Sequence, residues 1–349
     1  MNRSVHIVAL AARTPVGLTA EGSAAAVRAG ISRLREHPFI VDAMGERLRC
    51  ASDAMLDPLL MGTDRMSALA TAALSELLSK LRLGARAKAL TLLLALPEAR
   101  PGFGVADAAR LQRDLTHEAR PDRVEVRAER SGEGHAGALH ALERAVGRIA
   151  AGQDELCIVG GVESYLDADT LDWLEADRRL ARAGTRAGFC PGEGACLVAL
   201  ASSSARKAAG LPSLGVVQAV ACTREKRDPT KGAGLLGEAL TAAVREVAAE
   251  RIEQRAYVDD VYCDINGERP RVSDWGFALL RTASWFRDGS QYVMPVGSCG
   301  DLGAASAAFS LVLAVRAWQR GYAHGPRAVV WGASWQGLRG AALLERGEG

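Results

Sequence analysis

The chain has 349 residues, 48% of them hydrophobic and only 5% aromatic, which is enough apolar length to bury one large core or two ordinary ones. Its 43 basic residues nearly balance 41 acidic ones for a net charge of +2, so no global field favours nucleic acid or an anionic membrane. The longest N-terminal apolar stretch, VHIVALAA, is too short to span a bilayer and lacks the pattern of a secretory signal, which predicts a cytoplasmic protein.

In chain order, apolar runs of strand length alternate with helical segments: HIVALAA, ATAALSELLSKL, TLLLALP, VEVRAE, GALHALERAVGRI, LCIVGG and ACLVALAS. That rhythm predicts an α/β fold. A second series starts near Leu214, running LGVVQAVAC, ALTAAVREVAAERI, VDDVYCDI, YVMPVG, GAASAAFSLVLAVRAWQRG and AVVWGAS, and it repeats the order of the first. One repeat of half the chain means two related halves rather than a solenoid. The seam is expected near residues 201–212, where small polar residues precede Gly and Pro, giving halves 1–205 and 206–349.

In both halves a helix opens on small residues, Gly134, Ala136 and Gly137 in the first and Gly303, Ala304, Ala305 and Ser306 in the second. Facing each other, two such helix starts would line a central site with backbone N–H donors. Alternatively, the small residues only permit tight packing. The seven cysteines are odd in number and scattered without zinc-type spacing, so core thiols in a reducing compartment are expected. The histidines form no metal motif, and no metal or cofactor is predicted.

Three stretches carry a family resemblance: GFCPGEGACLVAL at 188–200, CGDLGAASA at 299–307, and GALHALERAVGRIAAGQDELCIVGGVES. Together they resemble the thiolase and β-ketoacyl synthase superfamily. The resemblance implies a layered αβαβα fold of two similar halves about a pseudo-twofold axis. It also implies a homodimer through the strand before the first helix, where VEVRAE would set Glu125 against Arg127 of a second chain. Enzymes of this family hold an acyl chain on a cysteine at the start of the first helix, assisted by two further polar residues. The motifs laid on this sequence put His135 at the cysteine, Asn266 at the first histidine with Asp274 retained, and Gly300 at the second histidine with Cys299 beside it. The synthase lysine falls on Pro295. Cys190 lies in a loop that borders the site, and Trp335, Gln336 and Arg339 replace a glycine-rich gating loop, which predicts a narrowed or closed substrate channel.

A cysteine thiolate gains from the positive end of a helix dipole, whereas an imidazolium gains nothing there and an acyl-imidazole is short-lived. Where catalytic groups act as a unit, loss of the nucleophile costs on the order of 10⁶-fold in turnover. Condensation by the family mechanism is therefore not expected. Two readings stay open. One is a synthase-like protein without condensing activity that serves as a partner, scaffold or acyl-group binding subunit, with His135 a hydrogen-bonded filler and Asn266 a turn residue. The other is an acyltransferase or thioesterase acting on acyl thioesters, using His135 with a relocated Cys299 or with Asn266. Two basic clusters, Arg178, Arg179, Arg182 and Arg186, and Arg224, Lys226, Arg227 and Lys231, would receive an acidic acyl carrier protein or simply be solvated loops.

Overall fold

The structure is a computed structural model that describes residues 4–42, 44–81, 89–118, 124–182, 187–226, 236–253 and 256–348. The first half runs β1 (Val5–Arg13), α1 (Ala20–Arg28), β2 (Arg35–Val41), β3 (Arg47–Cys50), α2 (Gly62–Leu81), β4 (Ala89–Leu96), α3 (Val105–Glu118), β5 (Glu125–Glu133), α4 (Gly137–Ala150), β6 (Leu156–Ser164), α5 (Ala168–Ala176) and β7 (Glu193–Ser202). A short helix, α6 (Ser203–Ala208), occupies the expected seam. Then follow β8 (Gly215–Arg224), α7 (Glu238–Glu253), β9 (Asp260–Tyr262), α8 (Arg269–Thr282), β10 (Tyr292–Val293), α9 (Val296–Cys299), α10 (Ser306–Gln319), β11 (Arg327–Ala333) and β12 (Leu338–Arg346).

The ten long-range strands are ordered β10-β9-β11-β12-β8-β1-β7-β6-β4-β5, and β2 pairs with β3 as a separate hairpin. Numbered within its own half, each set of five reads 3-2-4-5-1. Strand senses repeat as well: β4 is parallel to β5 and β6 while β7 is antiparallel to β6 and β1, and β9 is parallel to β10 and β11 while β12 is antiparallel to β11 and β8. The halves meet where β1 pairs with β8, antiparallel from Val5 opposite Val217 to Ile7 opposite Gly215. The repeat read in the sequence is thus a repeat of topology.

Burial on both faces explains why these strands are continuous apolar runs rather than alternating ones. Along β7, Cys196, Val198 and Leu200 enter the core around α4 and α10, while Leu197, Ala199 and Ala201 enter the core under α2 and α3. Along β11, Ala328 and Val330 share that central core, while Val329 and Trp331 pack with α7 and α8. The result is five layers, helix, sheet, helix, sheet, helix. All of α10 except Arg316 and Gln319 is buried, as a helix apolar on every side must be.

Two strand glycines let the central helix starts cross between halves. A Cβ on Gly161 of β6 would lie 2.0 Å from the Ala304 carbonyl oxygen ahead of α10. In the other direction, a Cβ on Gly332 of β11 would lie 3.0 Å from the His135 carbonyl oxygen ahead of α4. Each half's strand therefore supports the opposite half's helix. The run VDDVYCDI yields only the three-residue β9, because Asp264 turns its carboxylate to the Ala333 N–H at 2.8 Å and leaves the ladder. No helix among the described residues is long and apolar enough to cross a membrane.

Gly161→Ala should lower stability by about 1–3 kcal/mol, the usual cost of an overpacked core. Gly147→Ala, inside α4 with no atom near the added methyl, should raise stability by about 0.5–1 kcal/mol. Urea denaturation of the two variants checks both signs, and equal effects would contradict the close approach at Gly161.

Candidate functional site

The turn after β5 delivers His135 into the interior just ahead of α4, where it is 4% exposed. From the other half, the turn before α10 delivers Asp301, also buried. His135 Nε2 lies 2.8 Å from Asp301 Oδ1 and 3.0 Å from Oδ2. A carboxylate only accepts, so Nε2 carries the hydrogen. Arg271 Nη2 lies 3.0 Å from Nδ1 and 3.2 Å from Nε2, nearly equidistant, which places the guanidinium over the ring and not on one nitrogen's lone pair. The Asp301 contact therefore fixes a hydrogen on Nε2, and the guanidinium covers the imidazole.

Asp301 also accepts from the Asn266 Nδ2 amide, from the Tyr165 hydroxyl at 3.1 Å and from the Gly303 N–H at 2.7 Å. Burial alone would raise its carboxyl, but His135, the Arg271 guanidinium and the Asn266 amide outweigh burial and hold it well below the usual carboxylate range. Arg271 is buried on α8, with Nη1 donating to Asp264 Oδ2 at 2.6 Å and to the Ala333 carbonyl, and Nε to Glu268 Oε2 at 3.4 Å. Burial opposes its charge, and Asp264, Glu268 and Asp301 together overcome that and raise it above the ordinary arginine value. Glu268 in turn holds Arg179 Nε at 2.8 Å.

The backbone donors at the helix starts are used internally. Ala136 N–H donates to Ser334 Oγ at 3.0 Å, Gly303 N–H to Asp301, and Ala304 N–H to Glu163 Oε2 at 3.2 Å. Arg100 holds that same Glu163 at 2.7 Å. The open, donor-lined centre that two facing helix starts would have given is therefore closed by side chains. The small residues serve close packing there.

The other expected site residues divide. Asn266 joins the cluster, but its amide is committed to Asp301 and to Glu268 Oε2 at 3.1 Å, and its oxygen accepts from the Glu268 N–H at 3.0 Å. Cys299 does not meet His135: it is fully buried in the central core, its thiol donates to the Pro295 carbonyl at 3.3 Å, and burial pushes the thiol up. No hydrogen bond joins the Cys299 and His135 side chains among the described residues. Gly300 has φ +68°, and a Cβ there would lie 2.8 Å from the Pro191 carbonyl oxygen, so no side chain fits and the following residue, Asp301, reaches the site instead. Cys190 is half-buried, its thiol raised by burial, and it borders a separate groove with Arg182 and Arg47. Arg339 is buried against Asp274 at 2.7 Å and away from His135's cavity.

That cavity, about 200 Å³, has His135 and Tyr165 on one side and Trp173, Arg179, Trp335 and Gln336 on the other. Trp335 and Gln336 are held by their backbone N–H groups on Glu98, at 2.9 and 2.5 Å. The Arg179 guanidinium stacks 3.9 Å above the Trp335 ring and 5.4 Å from Trp173. Arg179 is therefore a closing element of the cavity rather than part of a solvated basic loop, and a volume this size suits a small group rather than a drug-sized ligand. Of the other clustered cations, Arg186, Arg227 and Lys231 lie outside the described residues. Sequence reasoning missed Asp301, Arg271 and Tyr165. Asp301 stood one residue beyond Gly300 in a motif already singled out, and Arg271 stood within NGERPRVSD.

Residues 135–205 match the family model described as the β-ketoacyl synthase N-terminal domain. No curated protein matches the chain. Among solved structures, the ketosynthase from module 6 of the bacillaene synthase of Bacillus subtilis 168 aligns with TM-score 0.79 at 13% identity, covering 99% of this chain and 72% of that one. The ishigamide ketosynthase/chain length factor aligns at 0.68 and 20% identity, covering 99% and 100%. A type II ketosynthase bound to the hexaketide, in complex with its acyl-carrier protein, aligns at 0.77 and 13% identity, covering 100% of both chains.

Asp301→Asn should cost about 1–3 kcal/mol at neutral pH, because its amide nitrogen turns a donor toward the His135, Tyr165, Asn266 and Gly303 donors that share the carboxylate. The depressed carboxyl contributes stability that is complete above the unfolded value of about 3.9 and is lost as pH falls toward the lower folded value. The parent should therefore lose stability more steeply below about pH 4 than Asp301→Asn does, and parallel acid slopes in urea melts would contradict the assignment.

Proposed function

We infer that this chain, which belongs by its fold and by the match over residues 135–205 to the thiolase and β-ketoacyl synthase superfamily, is a synthase-like subunit without condensing activity. The observation that carries this reading is the buried imidazole of His135, bonded through Nε2 to Asp301 and covered by the Arg271 guanidinium, which lies 3.0 and 3.2 Å from its two nitrogens. The residue ahead of α4, where the family resemblance sets the acyl-bearing cysteine, then has no thiol to carry an acyl chain. Asn266, the candidate oxyanion donor, has its amide hydrogens on carboxylates. Cys299 is buried elsewhere.

What remains is a fold for association and a compact cavity. One similar structure is a ketosynthase/chain length factor and another a ketosynthase with its acyl-carrier protein. By analogy, this chain would act beside a catalytic synthase subunit or an acyl carrier, or as a homodimer, with the cavity of about 200 Å³ taking at most a short acyl group. The free edge of β5 supports pairing between chains, since β5 ends the sheet. Arg127 lies 3.2 Å from Glu125 of its own strand, so that pair would have to exchange for a partner's.

Incubation with a range of acyl thioesters, followed by mass spectrometry and free-thiol detection, should show neither an acyl adduct nor thiol release above that of His135→Ala. Turnover abolished by His135→Ala would contradict this reading and restore an acyltransferase or thioesterase.

A further inference from the structure

At the other end of the strands from His135, where β1, β8 and β12 come together, a groove of about 1030 Å³ opens. His6 stands in it, with Nδ1 2.8 Å from Ser213 Oγ and Nε2 2.9 Å from Ser203 Oγ. Beyond the ring, Ser203 Oγ has only a distant contact with the Ser4 carbonyl at 3.4 Å. Arg206 and Lys207 on α6 and Arg346 on β12 also line the groove, and none of the three forms a salt bridge among the described residues. Arg206 donates Nη1 to the Leu211 carbonyl at 3.0 Å, while its buried Nε has no hydrogen-bond partner. Two carboxylates face the same space: Glu345, which accepts from Gln218 at 2.6 Å, and Glu348.

A neutral imidazole donates from one nitrogen and accepts at the other, so one serine hydroxyl is spent on the ring. A protonated ring donates at both, and then both serines accept and turn both hydroxyl hydrogens outward. That state offers two hydroxyl donors beside an imidazolium, a guanidinium and an ammonium. Such a set matches an oxyanion with several acceptor oxygens and more than one charge.

We propose that this groove binds a phosphate group, held by Ser203, Ser213, Arg206 and Lys207 around His6. Leu214, Val216, Pro326 and Trp318 give it an apolar wall for the organic part of a phosphomonoester. Burial first, then Arg206, hold the imidazole below its ordinary value; Glu348 opposes them, and Lys207 adds the smallest lowering. A bound phosphate offsets the two cations and favours the protonated ring. Affinity should therefore rise as pH falls.

Titration calorimetry of the full chain with inorganic phosphate, AMP and adenosine, at about pH 6 and about pH 8, tests this. Phosphate and AMP should bind more tightly at the lower pH and adenosine should not bind. AMP about tenfold tighter than phosphate identifies a monoester as the ligand, while equal affinities identify free phosphate. The double variant Arg206→Gln/Lys207→Gln should lose about tenfold or more in affinity, and His6→Gln should lose the pH dependence. The proposal is overturned by the absence of phosphate and AMP binding at the lower pH or by adenosine binding as tightly as AMP. Unchanged affinity in the double variant, with circular dichroism showing it folded, overturns it equally.

Discussion

One carboxylate ties the two halves of the molecule together. Asp301, ahead of the second central helix, accepts from His135 and Tyr165 of the first half and from Asn266 and Gly303 of the second. Arg271 closes the arrangement from α8 by covering the same imidazole. Burying these charges carries a large desolvation cost, which the mutual hydrogen bonds offset, so the cluster is better understood as a lock than as a source of net stability. Its consequence is specificity of placement. With Asp301 shared by donors from both halves, neither helix start can shift without breaking hydrogen bonds to a buried charge.

The same arrangement decides what the centre can do. A helix start is a good place for an anionic nucleophile or a developing oxyanion only while its N–H groups and its first side chain are free. Here Ser334, Asp301 and Glu163 fill those roles from within the protein. These internal contacts join the two halves across the centre. Beside His135 a cavity of about 200 Å³ remains, with Arg179 stacked on Trp335 in its wall, a volume that suits a small group.

Much of the architecture was legible because burial on both faces leaves a plain mark. ALTLLLAL in β4, EGACLVALAS in β7 and the all-round apolar α10 show doubly covered elements, and the repeated order of segments shows the internal duplication. The β2–β3 hairpin was not legible, since REHPFIV exposes most of its residues and shows no period. At the centre, the sequence singled out the turn at 299–301 without naming Asp301. Gly300 must be glycine because its φ is positive and its neighbours leave no room, so the side chain that matters is displaced by one. Arg271 and Arg179 were illegible for a different reason. Arg179 pairs across the fold with Glu268 and Trp335 and so leaves no local pattern, while Arg271 has Asp264 and Glu268 within seven residues and shows its role only through its contact with the distant His135.

The central claim is that Asp301 holds His135 through Nε2, and its most direct test is where the ring hydrogen sits. Long-range nitrogen-15 correlation spectra of the histidine rings at neutral pH, with His135 assigned by its loss in His135→Gln, report which nitrogen carries a hydrogen. The account predicts a hydrogen on Nε2, bonded to the Asp301 carboxylate. A ring whose Nε2 carries no hydrogen would contradict it.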